Sequence, residues 1–152
     1  MIYSRPCEYA LRALTYITVN SDSELIRTQE IAEAEGLPAP FLAKLLQQLA
    51  RSGILVSVKG PKGGFGLARP PKEISLLEVV TAIDGEDGFM RCAIGLAECT
   101  DTAPCPLHDT WKPLRDQILD YMAGRSLANL AEAITRKKEL IPNIHLNPNS
   151  LF

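Results

Sequence analysis

Phe41-Leu42-Ala43-Lys44-Leu45-Leu46-Gln47-Gln48-Leu49-Ala50-Arg51-Ser52, followed by Ile54-Leu55-Val56-Ser57-Val58-Lys59, Gly60-Pro61-Lys62-Gly63-Gly64 and Phe65-Gly66-Leu67-Ala68, decides the fold. In the first segment Phe41, Leu42, Leu45, Leu46 and Leu49 recur at helical spacing, while Lys44, Gln47, Gln48 and Arg51 share the opposite side. The second is rich in β-branched residues, the third is a turn with three glycines and a proline, and the fourth is a short second strand. A helix with a Lys/Gln/Arg face leading directly into a β-hairpin with a basic tip predicts a recognition helix and a wing. The helix offers long donors to a major groove, and the glycines allow close backbone approach to the sugar-phosphate rail. A nucleotide-cradling loop is the other use of such glycines, but the closing Lys-Ser/Thr of a phosphate-binding loop is missing.

Upstream, the pattern continues toward a helix-turn-helix. Ser4 is placed to cap a first helix with Pro6 in its opening turn, and Ala10, Leu11, Leu14 and Ile17 mark its buried side to about Val19. Asn20 to Glu24 reads as a loop. Thr28 is placed to cap a second helix of about two turns through Ile31 and Ala32 to Glu35, which Gly36 stops. The expected fold class is mainly α: a winged helix-turn-helix with a β-hairpin wing and a long C-terminal dimerisation helix.

Charge agrees with that reading. The chain of 152 residues carries a net charge of only -2, but from Pro38 to Lys72 it has six basic residues and no acidic one: Lys44, Arg51, Lys59, Lys62, Arg69 and Lys72. The other ten basic residues face eighteen acidic ones, so a basic segment rides on a body of net charge -8. That asymmetry suits double-stranded DNA, with Lys44, Gln47, Gln48 and Arg51 at the major groove and Lys59 and Lys62 at the wing. No membrane partner is expected. The N-terminal residues carry no basic and apolar leader, and no run approaches the length of a bilayer span, so a soluble cytoplasmic protein is predicted.

Beyond Pro70-Pro71, Ser75 should cap a helix running through Val79, Val80 and Ile83 to Asp84. Then comes a loop with three of the four cysteines, Cys92, Cys99 and Cys105, and with His108 just behind them. In a reducing compartment such clustering favours a metal or redox site over structural disulfides. Thiolates are soft donors, and three in one loop suit an iron-sulfur cluster. Zinc more often takes close Cys pairs, which this loop lacks. A metal-free thiol switch uses the same residues. An enzyme built on Cys105 and His108 would lack oxyanion donors and an orienting third group.

Leu107, Trp111, Leu114, Ile118 and Tyr121 follow at spacings of four, three, four and three, the seam of a coiled-coil helix, and predict a homodimer. Because of Pro113 this helix has two possible starts: Thr110 as cap, with His108 just outside beside Cys105, or Pro106 with a kink. Ser126 should cap a last helix with Leu127, Leu130, Ala131 and Ile134 on one face and Arg136-Lys137-Lys138 at its end. The expected organisation is a DNA-binding unit over 1–84, a cluster-binding loop over 85–108, a dimerisation helix and final helix over 109–139, and an extended or disordered tail over 140–152.

Three stretches together carry a family likeness: Ser4-Arg5-Pro6-Cys7-Glu8-Tyr9-Ala10-Leu11-Arg12-Ala13-Leu14, the wing from Val56 to Arg69, and the three-cysteine loop with His108 and Trp111. On them the chain resembles, from residue 1 to about 136, the Rrf-two family of winged-helix transcription regulators. This family includes an iron-sulfur-cluster regulator and a nitric-oxide-sensing repressor. The resemblance implies an operator-binding homodimer with a cluster held by Cys92, Cys99 and Cys105, between the cysteine loop and the partner's first helix. A 2Fe-2S form is favoured over 4Fe-4S. For the fourth ligand the resemblance offers Glu8 and His108, with Cys7 a third candidate. The chain departs from the best-known members in three ways. Six residues rather than five separate Cys92 from Cys99, Pro40 and Ala43 stand where others place polar residues, and Lys59 replaces the wing arginine, a point charge in place of a bidentate fork.

Overall fold

The computed structural model describes residues 2–20, 24–86, 92–96 and 100–141. Among these residues, six α-helices and one hairpin follow in the order α1 (Arg5–Asn20), α2 (Thr28–Glu35), α3 (Ala39–Arg51), β1 (Leu55–Val58), β2 (Gly64–Leu67), α4 (Leu76–Asp84), α5 (His108–Ala123) and α6 (Leu127–Leu140). A single 3-10 turn over Pro71–Glu73 leads into α4. The predicted mainly α winged helix-turn-helix is therefore present, with its wing directly after the second helix of the motif. Among the described residues no helix is long and apolar enough to cross a membrane.

Three helix starts follow directly from local capping chemistry. Ser4 Oγ accepts from the Cys7 amide (3.2 Å) and Ser75 Oγ from the Glu78 amide (3.1 Å). Ser126 and Asn129 form a reciprocal capping box. Three starts differ from expectation, the first being α3, which begins at Ala39 rather than Phe41 because Pro40 is tolerated in a helix's first turn. Thr28 is the first residue of α2, and Arg27 holds the cap position without making a side-chain cap bond. Neither start expected for α5 occurs. The helix opens at His108, two residues after Pro106, and Thr110 lies inside its first turn, where its hydroxyl donates to the Leu107 carbonyl (3.0 Å). Pro113 sits inside this helix. The amide it lacks would have gone to the Asp109 carbonyl, and that residue is exposed, so water can take its place.

The core centres on α1, which touches α2, α3, α4, α6 and β2. Leu14, Ile17, Ile31, Leu42, Leu46, Leu49, Ile54, Ile74, Val79 and Val80 fill it, and Met122 of α5 and Leu127 of α6 join the same cluster. The helices on either side of the cysteine loop thus share one core. Backbone bonds reinforce this: the Leu76 amide donates to the Arg125 carbonyl (2.8 Å) and the Leu127 amide to the Ile74 carbonyl (2.9 Å).

The wing is an antiparallel pair in the register Leu55–Leu67, Val56–Gly66, Ser57–Phe65 and Val58–Gly64. It is fastened to the segment before α2, where Ile26 and Phe65 exchange amide-carbonyl bonds of 2.9 and 2.8 Å. Gly64 is required by this close approach, since a Cβ there would lie 2.6 Å from the Ile26 carbonyl oxygen. The predicted tail from Pro142 onward, and part of the predicted loop at 87–91 and 97–99, lie outside the described residues.

Candidate nucleic-acid interface and metal centre

Helix α3 buries Leu42, Leu45, Leu46 and Leu49 and leaves Lys44, Gln47 and Arg51 exposed. Spacings of three and four residues put these three side chains on one face, beside the exposed Lys59 and Lys62 of the wing. Between Gln47 and the wing lies a cleft of about 510 Å³, lined by Arg27, Thr28, Lys59 and the turn glycines. Gln47 Nε2 is 3.5 Å from Ser57 Oγ at its edge.

Gln48 does not join this face. Its Nε2 donates to the Ala82 carbonyl (2.8 Å), near the end of α4, and the side chain is half-buried. The expectation that it reads base edges is therefore withdrawn. It sits on the flank of the apolar stripe, close enough to α4 to satisfy a terminal carbonyl there.

Arg27, which also lines the cleft, is not marked by any sequence pattern. Its Nη2 donates to the Pro61 carbonyl at the wing turn. The missing acceptor at the α2 cap position is the one local hint.

In the cysteine-bearing segment Cys92, Cys105 and His108 are only 8%, 7% and 8% exposed. Their apolar neighbours Ile94, Leu96 and Leu107 are 53%, 51% and 46% exposed. Free cysteine is commonly buried, so the unusual feature is the covered His108 imidazole close in sequence to two covered thiols. Cys99 lies outside the described residues. Among the described residues, no three Cys, His, Asp or Glu side chains converge as a metal site. The donor set still fits a cluster chemically: two covered thiols and a covered imidazole in one short stretch.

His108 Nε2 lies 2.9 Å from Asp101 Oδ1, and Lys112 Nζ reaches both Asp101 oxygens at 2.7 and 2.8 Å. The Lys112 bond, and after it the His108 bond, hold the Asp101 carboxyl down at about 2. An ionised carboxylate can only accept, so Nε2 of His108 carries the proton in this contact. Sequence reading missed Asp101 and Lys112, because nothing in their spacing marks them.

The two α1 candidates separate. Glu8 is half-buried in the first turn of α1. Cys7 is completely buried, and that burial, with the Asp84 charge second, pushes its thiol up to about 12. Cys7 is thus a core residue held protonated and a poor source of thiolate.

Comparison with known proteins follows the same lines. Residues 3–133 match the Rrf2 family, described as iron-dependent transcriptional regulator. A helix-turn-helix-type transcriptional regulator of Aquifex aeolicus is 35% identical over 144 residues, covering 93% of this chain and 98% of that protein. The regulator IscR of Cronobacter sakazakii is 30% identical over 122 residues, 80% of this chain and 75% of its own. Among solved structures, the oxidized form of Staphylococcus aureus CymR superposes with a TM-score of 0.69 at 26% identity, covering 87% of this chain and 97% of that one.

Proposed function

From the premise that this chain belongs to the Rrf2 family of transcriptional regulators, which bind DNA and are not enzymes, we propose that it is a homodimer whose operator affinity is set by an iron-sulfur cluster. The ligands are Cys92, Cys99 and Cys105, with His108 or the partner subunit's Glu8 as the fourth. The observation that carries this reading is the grouping of two covered thiols, Cys92 and Cys105, with the covered imidazole of His108 in one short stretch. A 2Fe-2S form is favoured, because imidazole can replace thiolate on one iron of such a cluster.

When bound, the cluster supplies a redox-active iron centre open to small signals. The chain's own residues relay its state. The His108 amide donates to the Cys105 carbonyl (3.0 Å), so the last cysteine and the start of α5 form one rigid piece. Helix α5 touches α4, and Gln48 ties the end of α4 to the recognition helix. A reordering of the cysteine loop thereby shifts α5 and the spacing of two reading heads. On the DNA, Lys44, Gln47 and Arg51 face the major groove, while Lys59 and Lys62 engage the backbone at the wing.

The test is an absorption spectrum of protein purified without oxygen, with iron and acid-labile sulfide measured on the same sample. Visible charge-transfer bands with matching iron and sulfide are expected, and all should vanish in the Cys92→Ala, Cys99→Ala, Cys105→Ala triple variant. Iron-free protein that reconstitution cannot load would overturn the reading. A metal-free thiol switch is the second reading, favoured by the likeness to a regulator solved in an oxidized form. It predicts a free-thiol count that falls after peroxide treatment in protein without iron.

A further inference from the structure

The position before α2 normally carries Ser, Thr, Asp or Asn, whose oxygen accepts from the first free amides of the helix. Here it carries Arg27, a donor-only side chain, and the helix has no side-chain cap. The guanidinium is used elsewhere: Nη2 donates to the carbonyl of Pro61, 34 residues along the chain at the wing turn.

What this bond fixes follows from the turn's sequence. Lys59 and Lys62 flank Pro61, and Gly60, Gly63 and Gly64 surround them, so little side-chain packing holds the tip. The Ile26–Phe65 bonds fasten β2 near the turn, and Arg27 reaches the turn itself. Anchoring the Pro61 carbonyl restricts the directions in which both lysines leave the chain. An untethered tip would have to be ordered each time the wing met a duplex, at the expense of affinity.

We infer that Arg27 is a positioning residue for DNA binding, acting through Pro61 to preorganise the wing so that Lys59 and Lys62 meet the sugar-phosphate backbone together. The inference rests on the reading of the hairpin as a DNA-contacting wing. Its test measures affinity against salt concentration for a random-sequence duplex of about 30 base pairs, long enough to span two reading heads. Four proteins are compared: wild type, Arg27→Ala, the Lys59→Ala/Lys62→Ala pair, and the triple combination. Arg27→Ala alone should weaken binding by about tenfold. In the lysine-free background it should change neither affinity nor salt slope, because there is nothing left for it to position. Arg27→Lys, which keeps a donor, should recover part of the loss.

A second readout needs no DNA. The Gly63 amide, which donates to the Gly60 carbonyl (2.9 Å), should exchange hydrogen faster in Arg27→Ala, while core amides of α1 do not change. If Arg27→Ala lowers the salt slope by a further ~0.9 in the lysine-free background, Arg27 contacts a phosphate itself and the inference is wrong. Unchanged exchange at Gly63 also overturns it. If instead the lysine pair variant binds as wild type does, the wing reading fails, whatever the exchange data show.

Discussion

The winged helix-turn-helix and the part of the chain that follows it, the cysteine loop and α5, bury their side chains in opposite ways. Helices α1 to α4 and the hairpin enclose a core in which Leu14, Ile17, Ile31, Leu46, Leu49 and Ile54 are fully covered. Helix α5 commits Met122 and part of Ile118 to that core but leaves Leu114 and Tyr121 54% and 58% exposed. Leu107, at the same heptad position, is exposed as well. The first closes its core within one copy, although Phe41, Val56 and Val58 stay partly exposed at its surface. The second carries an apolar stripe at one heptad position and two covered cysteines, Cys92 and Cys105, and that stripe is the face the proposed homodimer would cover.

The sharpest way to break this contrast is to charge the stripe. Leu114→Glu combined with Tyr121→Glu replaces two exposed side chains, so thermal unfolding of the monomer should change little. On the proposed homodimer the effect should be large. Sedimentation should report a monomer, and affinity for a duplex with two half-sites should fall by ~100-fold or more, since the linkage between reading heads is lost. A variant that remains dimeric would place the interface elsewhere. The converse substitution lies in the reading half. Gly64→Ala pushes a Cβ to 2.6 Å from the Ile26 carbonyl oxygen, and both groups are backbone with no easy relief. It should destabilise the fold by about 2–3 kcal/mol, read by denaturant unfolding, while leaving self-association intact.

Legibility in the sequence follows the same division. Ser4, Ser75 and Ser126 cap helices as read, because a cap is a local contact three residues long. The apolar face of α3 and the hairpin also follow from local periodicity. At Thr28 the reading was one residue off, since the chain places Arg27 at the cap and uses its donors on the wing. The start of α5 fell between the two expected positions, because Leu107 rather than a polar side chain opens the helix and its carbonyl receives the amides of Thr110 and Trp111 at 3.2 and 2.8 Å. Asp101 was invisible: it meets His108 and Lys112 only because a loop folds back on a helix, a contact that no periodicity encodes. Cys7, the third candidate for the fourth ligand after Glu8 and His108, is completely buried in the core, which no local spacing reveals.

The smallest effect separates two adjacent glutamines that look equivalent in sequence. Gln47 is exposed on the face of α3 shared with Lys44 and Arg51, and its amide lies 3.5 Å from Ser57 Oγ. Gln48, one hundred degrees around the helix, gives its amide to the Ala82 carbonyl at 2.8 Å and to the Ile83 carbonyl at 3.5 Å. Gln47→Ala should leave unfolding unchanged within about 0.5 kcal/mol but relax discrimination among duplexes chosen for tight binding, by ~1–3 kcal/mol at one base pair. Gln48→Ala should do the reverse on stability. Losing a half-buried bond to helix-end carbonyls should lower stability by about 1 kcal/mol, with base preference retained. Its influence on binding should instead appear as a weaker response to cluster loading, because the tie between α4 and the recognition helix is cut. If Gln48→Ala alters base preference as much as Gln47→Ala does, then Gln48 leaves α4 on binding DNA, and the boundary between reading surface and relay runs differently across α3.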